Sequence, residues 1–228
     1  MTEDHRYELK FILDEASLSK AKSWLYSATT MRTSYPRRTI NSVYFDDPGY
    51  SSVRDNLAGI SERKKIRLRW YQFDKNSKEV TSPLLEFKSR NGRLNRKNKL
   101  KIPGLEDGLL GLEYKDLFQQ IYSKIGNSIF FDDHFSPALH VNYSREYFED
   151  AKSVRITFDR QISFINPLPH TLVAQGTPIS YPSIIMEVKF SPEHKLYVTS
   201  LLRTFNKSAV RHSKYLVGLA TLGYASYI

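Results

Sequence analysis

Ile184-Ile185-Met186-Glu187-Val188-Lys189-Phe190 is the stretch whose reading decides the fold. At the strand period of two, Ile184, Met186, Val188 and Phe190 fall on one face, and Ile185, Glu187 and Lys189 on the other. The same division recurs along the chain. Arg6, Glu8 and Lys10 alternate with Tyr7, Leu9 and Phe11; Arg67 and Arg69 alternate with Ile66, Leu68 and Trp70. Glu86 and Lys88 oppose Leu85 and Phe87, and Arg155, Thr157 and Asp159 oppose Val154, Ile156 and Phe158. A single strand of this kind is an ordinary half-exposed edge. Repetition, with Arg or Lys set beside a carboxylate two residues away, predicts that the charged faces meet. The expected architecture is a β-dominated α+β fold, its antiparallel sheet closed into a barrel with helices packed outside and charged residues lining the lumen. A lumen with more cations than carboxylates suits a polyanion.

Composition narrows the partner. The chain has 228 residues, 40% hydrophobic and 13% aromatic, enough for a substantial core, and nothing in it argues against one domain over residues 1–228. It has no cysteine, which excludes disulfides, thiolate metal sites and a cysteine nucleophile. The formal charge of +10 points to an anionic partner without choosing among nucleic acid, membrane surface and phosphorylated metabolite. No apolar run approaches the roughly twenty residues that span a bilayer. Met1-Thr2-Glu3-Asp4-His5 lacks the order of a signal peptide. The expectation is a soluble cytoplasmic protein with no membrane segment of its own.

In order along the chain, residues 6–13 read as the first strand, and Asp14 to Ser17 offer caps for a helix through Leu18, Ala21, Trp24 and Leu25. Residues 35–38 read as a basic linker and residues 40–45 as a strand. Asp46-Asp47-Pro48-Gly49 is a turn signal, and its aspartates are better turn formers than metal ligands. Residues 61–73 carry Arg63, Lys64, Lys65, Arg67 and Arg69; residues 83–89 form the next strand. Asn91-Gly92 marks a tight hairpin into a basic strand with Arg93, Lys97, Lys99 and Lys101 on one parity. Residues 109–125 read as an amphipathic helix, residues 138–147 and 153–165 as strands, and residues 166–182 as a long loop over one mouth of the barrel. Ser191-Pro192 opens a further helix. Ser213 is expected to cap the last one, where Lys214 and free backbone N–H groups hold a phosphate together.

In that order, Arg6-Tyr7-Glu8-Leu9-Lys10-Phe11, Tyr44-Phe45-Asp46, Arg67-Leu68-Arg69-Trp70-Tyr71, Leu85-Glu86-Phe87-Lys88, Tyr143-Ser144-Arg145, Arg155-Ile156-Thr157-Phe158-Asp159, Glu187-Val188-Lys189 and Ser213-Lys214-Tyr215 resemble the VTC domain. That family comprises polyphosphate polymerases within the triphosphate tunnel metalloenzyme, or CYTH-like, superfamily. The resemblance spans nearly the whole chain. It implies a tunnel that holds a phosphate chain, ATP as donor, polyphosphate as product and Mn²⁺ or Mg²⁺ as cofactor. By motif, Lys10, Arg67, Arg69, Lys88, Arg145, Arg155 and Lys214 would carry the chemistry. Lys99, chosen from the strand of residues 97–101, would bind phosphate with Tyr143, Lys189 and Ser213, and Glu187 would hold the metal. The eukaryotic complexes of the family carry a phosphate-sensing domain and a transmembrane segment that this sequence does not display, so a membrane partner has no support in it.

Physical chemistry agrees with those roles. Phosphoryl transfer asks for positioning and charge neutralisation more than for covalent catalysis, and Arg and Lys supply forked and compact contacts to phosphate. The hydrolytic members carry E-x-E-x-K in the first strand; here Arg6 stands at the first glutamate position, which weakens metal-activated hydrolysis. Three readings stand open: a polyphosphate polymerase, a tunnel triphosphatase, and a binding module for polyphosphate or another polyanion. Nucleic acid is disfavoured because Trp70, Phe87 and Phe158 lie on the parity opposite the cations.

Overall fold

The computed structural model describes residues 6–61, 63–74, 77–81, 83–91, 94–125, 131 and 133–225. The strands are β1 (Tyr7–Leu13), β2 (Arg32–Asp46), β3 (Arg63–Gln72), β4 (Leu84–Asn91), β5 (Leu94–Lys101), β6 (Ser136–Glu149), β7 (Arg155–Ile165), β8 (Pro178–Ser180) and β9 (Ile184–Phe190). The helices are α1 (Glu15–Ala28), α2 (Ser51–Leu57), α3 (Tyr114–Ile125), α4 (Lys195–Leu202) and α5 (Lys214–Thr221). One antiparallel sheet runs β1-β9-β7-β6-β2-β3-β4-β5, with β8 attached to β7.

Burial follows the alternation. Along β3, Ile66, Leu68 and Trp70 are buried, while Arg67 and Arg69 between them are half-buried on the other face. On the convex side α1 and α4 cover one end of the sheet, where Trp24, Leu25 and Val198 pack with Phe11, Phe158, Met186 and Val188. Asp14 caps α1 by accepting from the Ser17 N–H at 2.6 Å. At the other end α3 lays Tyr114, Leu117 and Ile121 against Val43, Ile66, Leu68 and Trp70. Beneath it His140 stays neutral: burial pulls its pKa to about 3, and its ring meets the Tyr114 hydroxyl at 2.7 Å and Asn41 at 3.1 Å.

The barrel expectation is corrected at two points. Among the described residues the sheet does not close, and β1 and β5 are its two ends. An edge strand rich in lysine, as β5 is at Lys97, Lys99 and Lys101, resists further pairing because each added backbone bond would crowd like charges. Secondly, α5 does not pack outside. Tyr215, Leu216 and Leu219 join Ile40, Leu139, Val141, Phe164 and Ile185 on the concave face, so the last helix plugs one end of the groove. Gly218 permits that seat, because a Cβ there would meet Leu139 Cδ2 at 2.5 Å and the Phe164 ring at 2.7 Å.

Smaller differences have local causes. Residues 35–38 are not a linker but the irregular half of β2, whose pairing with β6 shifts between Thr33 and Tyr35 and again between Tyr35 and Arg38. Pro36 lacks the N–H that a regular ladder needs. Residues 109–125 divide into a 3-10 turn at Leu109–Gly111 and α3. The stretch 166–182 divides: Leu172 bridges Glu113 and Val173 is buried beneath α3, whereas Pro178–Ser180 form β8 on β7 and Tyr181 packs against Phe164 on the concave face. The β4 and β5 strands form the expected hairpin, Asn91 opposite Leu94, while Gly92 and Arg93 lie outside the described residues.

Candidate active site

The charged parities meet on the concave face. Antiparallel register sets Arg67 of β3 opposite Glu86 of β4, Lys10 of β1 opposite Glu187 of β9, and Arg145 of β6 opposite Asp159 of β7. Opposite charges facing across a ladder stabilise it and fix the side chains in one direction. The sheet curls far enough for Lys88 of β4 to feel the charges of Glu8 on β1 and Lys189 on β9. Burial and the neighbouring ammonium of Lys189 hold its pKa below the usual lysine value, against the pull of Glu8.

One wall comes from β2, β3, β4 and β5. Arg67 donates from Nε to Glu86 Oε2 at 2.7 Å and from Nη1 to the Tyr44 hydroxyl at 3.1 Å. Arg69 donates from Nε to Ser42 Oγ at 3.1 Å and from Nη2 to the Tyr143 hydroxyl at 3.3 Å. Lys97 Nζ lies 2.8 Å from Glu86 Oε1. Burial alone would raise the Glu86 pKa; Arg67, Arg69 and Lys97 reverse that and hold it ionised, well below the carboxylate range. Burial would raise Tyr44 too, yet Arg67 and Arg69 bring its pKa down to about 8. This wall presents guanidinium groups already aimed.

The facing wall comes from β1 and β9. Lys10 Nζ lies 2.7 Å from Glu8 Oε1 and 3.9 Å from Glu187 Oε2. Lys189 Nζ lies 2.6 Å from Glu187 Oε1 and 3.4 Å from Glu8 Oε2. Glu187 is buried, which opposes its charge; Lys189, Arg145 and Lys10 nonetheless keep it ionised.

The floor is built by β6, β7 and the start of α5. Asp159, wholly buried, accepts from Arg145 at 2.5 and 2.7 Å and from Lys214 Nζ at 2.5 Å. The Tyr143 ring carries Lys214 at 4.7 Å and Arg145 at 5.3 Å. Three consecutive residues fasten α5. Ser213 Oγ takes a hydrogen bond from Lys65 at 3.3 Å, Lys214 reaches Asp159, and the Tyr215 hydroxyl donates to Asp46 Oδ2 at 2.5 Å. Asp46 also accepts from the Ser52 hydroxyl and Asp47 from the Gly49 N–H, so both are engaged as turn and anchor residues.

The same face of the sheet therefore carries Lys10, Arg67, Arg69, Lys88, Tyr143, Arg145, Glu187 and Lys189, with Ser213 and Lys214 of the α5 start against it. Three expectations land differently. Ser213 makes no capping bond to α5, because its hydroxyl is engaged by Lys65. Lys97, not Lys99, reaches Glu86: Lys99 stands opposite Glu86 in the register, but the Lys97 side chain crosses diagonally. Arg155 stands opposite Lys189, yet its guanidinium turns to Glu149 at 3.2 Å, at the rim. The groove also recruits Glu8, Ser42, Tyr44, Lys65, Glu86 and Asp159, which the site assignment had not named. Glu8, Tyr44, Glu86 and Asp159 stand inside the motifs that carry the resemblance, and parity places Lys65 on the face of Arg67, but parity marks a face without marking which of its residues point at a common centre.

A metal site can be tested on the donor set. Among the described residues no group of three or more His, Asp or Glu side chains is arranged to hold a metal ion. Glu187, with Glu8 across the ladder, offers hard, ionised oxygens. That fits a divalent cation of the Mg²⁺ or Mn²⁺ kind only when phosphate oxygens and water supply the remaining ligands.

Solved structures with the same fold are known. The PH1819 protein of Pyrococcus horikoshii matches with a TM-score of 0.55 at 14% identity, over 95% of this chain and 99% of that one. An adenylyl cyclase candidate from Hippeastrum, described as having a dominant triphosphatase activity, matches with a TM-score of 0.54 at 13% identity, over 94% and 95%. An adenylate cyclase candidate from Bacillus halodurans matches equally well, at 0.54 and 13%, over 93% and 96%. No curated protein matches the sequence. The VTC domain model matches residues 5–223, almost the length of the chain, and the chain belongs to the VTC domain family.

Proposed function

We propose that the groove binds a chain of phosphates and, with a divalent cation, transfers the γ-phosphoryl group of ATP onto the end of a growing polyphosphate. The observation that carries the reading is the wall of Arg67 and Arg69, fixed by Glu86, Tyr44 and Ser42 while their charge exceeds that of the carboxylate holding them. A concave surface with surplus, pre-aimed guanidinium groups is suited to the equatorial oxygens of a transferring phosphoryl group.

In this reading Arg67, Arg69 and Arg145 hold successive phosphates and orient donor and acceptor in line. Lys10, Lys88, Lys189 and Lys214 neutralise the charge that builds on the leaving oxygen. A terminal phosphate oxygen of the chain attacks the γ-phosphorus, the bond from that phosphorus to the β,γ-bridging oxygen breaks, and ADP leaves with the electron pair. No protein nucleophile is needed. A divalent ion such as Mn²⁺ or Mg²⁺, bound through Glu187, would supply neutralisation at the β- and γ-oxygens.

A second reading, triphosphate hydrolysis, is favoured by the Glu8 and Glu187 pair, since two carboxylates on one ladder could share a cation that activates water. Incubation with ATP and Mn²⁺, followed by phosphorus NMR, separates the two. Internal-phosphate signals accompanied by ADP, lost in Arg67→Ala and Glu187→Ala, are expected. Orthophosphate as the sole phosphate product would overturn polymerisation in favour of hydrolysis, and intact ATP beside tight polyphosphate binding would overturn both. Among the described residues no helix is long and apolar enough to cross a membrane.

A further inference from the structure

The Lys10, Glu8, Lys189 and Glu187 side chains form a closed ring of alternating charge. Its geometry is a direct product of register, because Glu8 stands opposite Lys189 and Lys10 opposite Glu187 on the paired strands. Each of the four carboxylate oxygens has an ammonium neighbour: Glu187 Oε1 has Lys189 at 2.6 Å, Glu8 Oε1 has Lys10 at 2.7 Å, Glu8 Oε2 has Lys189 at 3.4 Å, and Glu187 Oε2 has Lys10 at 3.9 Å. The oxygens that a hard cation would use are thus already engaged, and the tightest contact falls on Glu187.

The two lysines are not equivalent. Lys10 is tied down by a second bond, from its ammonium to the His212 carbonyl at 3.0 Å, whereas Lys189 has both carboxylates as its only partners in the ring. The Lys189 side chain is also a third exposed while Glu187 is almost wholly buried. An ammonium in that position can swing from Glu187 toward Glu8, or toward an arriving anion, without losing a counter-charge. Phosphate oxygens attract it and at the same time offer a cation the ligands the protein lacks. Two ligands that each remove an obstacle for the other bind with positive, reciprocal coupling.

We propose that Lys189 holds Glu187 closed to divalent cations until a phosphate chain draws its ammonium away, so that cation binding is conditional on the anion. Lys189 is then a positioning residue that sets the order of loading. The inference rests on the reading of the groove as a metal-assisted phosphate site but not on polymerisation, and its test uses no ATP.

Free Mn²⁺ is titrated by electron paramagnetic resonance against the full chain, with and without inorganic tripolyphosphate, each run corrected by a protein-free control because tripolyphosphate chelates Mn²⁺. Without anion, Lys189→Met is expected to bind Mn²⁺ at least tenfold more tightly than the unaltered chain, and Lys189→Arg to match the unaltered chain. The gain should vanish when Glu187→Gln is added. Lys10→Met removes the same charge from the ring but not from the short Glu187 contact, and should gain less than threefold. Tripolyphosphate should raise Mn²⁺ affinity in both chains through its own oxygens, but at least fivefold more in the unaltered chain than in Lys189→Met, and equal increases would overturn the proposal. Equal gains in Lys10→Met and Lys189→Met would overturn the proposal in favour of a general charge effect, as would tight Mn²⁺ binding by the unaltered chain alone. Lys189→Gln repeats the test if the methionine variant fails to fold. A polymerase that fails this titration refutes the ring and spares the function; a chain that passes it but makes no polymer does the reverse.

Discussion

The two walls of the groove are made from the same alternation and end up with opposite characters. On the β3 and β4 side one carboxylate, Glu86, stands among Arg67, Arg69 and Lys97, so the wall keeps a positive surplus. On the β1 and β9 side two carboxylates alternate with two lysines and the charge balances. Arginine cannot lose its proton and is oriented here by fixed acceptors; each lysine, on a flexible stem, has both carboxylates within reach at unequal distances. The first wall is built to hold an anion, and the second to exchange its contacts when one arrives. What separates them is which residue the register sets opposite which.

The largest effect expected is from Arg67→Ala. Truncating a half-buried, hydrogen-bonded charge at a binding surface costs about 2 kcal/mol or more, so tripolyphosphate affinity measured by calorimetry should fall about thirtyfold or more. Lys10→Ala on the balanced wall should cost less than about tenfold, because its removal also frees Glu8 and the ring can rearrange. Equal losses would erase the distinction between the walls.

Glu86→Gln sharpens it from the other side. Removing the one carboxylate from among three partly exposed cations leaves like charges uncompensated, and, after screening by solvent, urea unfolding should report a loss of about 1–2 kcal/mol. Yet the same variant should bind tripolyphosphate more tightly at low salt, since the surplus grows by one charge. A variant that is both stable and weak in binding would show that Glu86 orients the arginines more than it restrains their charge.

The plug end should respond less strongly in anion binding. Gly218→Ala inserts a methyl between α5 and the Leu139 and Phe164 side chains, and overpacking of this kind costs about 1–3 kcal/mol. Thermal unfolding checks the loss. If α5 lifts, the contact from Lys214 to Asp159 should weaken with it, and anion binding should fall severalfold although no groove residue has changed.

Much of this was legible beforehand, and the misses are instructive. The period of two names a face, and it sets Arg67, Arg69, Lys88, Glu187 and Lys189 on the charged side of their strands; their grouping with Arg145 as one site is what the resemblance to the VTC domain implies. It does not say whether the sheet's ends meet: β1 and β5 carry the expected parities, yet among the described residues they do not pair with each other. Likewise the apolar stripe of Tyr215, Leu216 and Leu219 says that a helix buries one side, and says nothing of which face of the sheet receives it. Lys97, Lys99 and Lys101 share a parity, so the choice among them turned on the reach of a side chain across a ladder. Lys65 and Tyr44 were on the right face too; what marks them is the neighbourhood assembled by folding.

That neighbourhood predicts the smallest effect. Burial, with Lys10 and Lys88 nearby, pulls the Lys65 pKa down to about 8, as the arginines pull Tyr44 to about 8. An anion in the groove favours the protonated form of both, so its affinity should fall as pH rises through about 8, by no more than about tenfold per unit for each proton. Sulfate is the probe to use, because its charge is constant in this range. Stability of the anion-free chain should move the other way. In the unfolded chain Lys65 keeps its proton to about 10.5 and Tyr44 to about 10, so between pH 8 and roughly 9.5 the unfolded state binds more protons, and the folded state gains as pH rises. Lys65→Met should flatten both slopes by about half, leaving the share of Tyr44. If sulfate affinity is level from pH 7 to 9.5 while Arg67→Ala still abolishes it, Lys65 keeps its charge on the β3 wall of the groove and the crowding of cations near the plug is relieved by solvent.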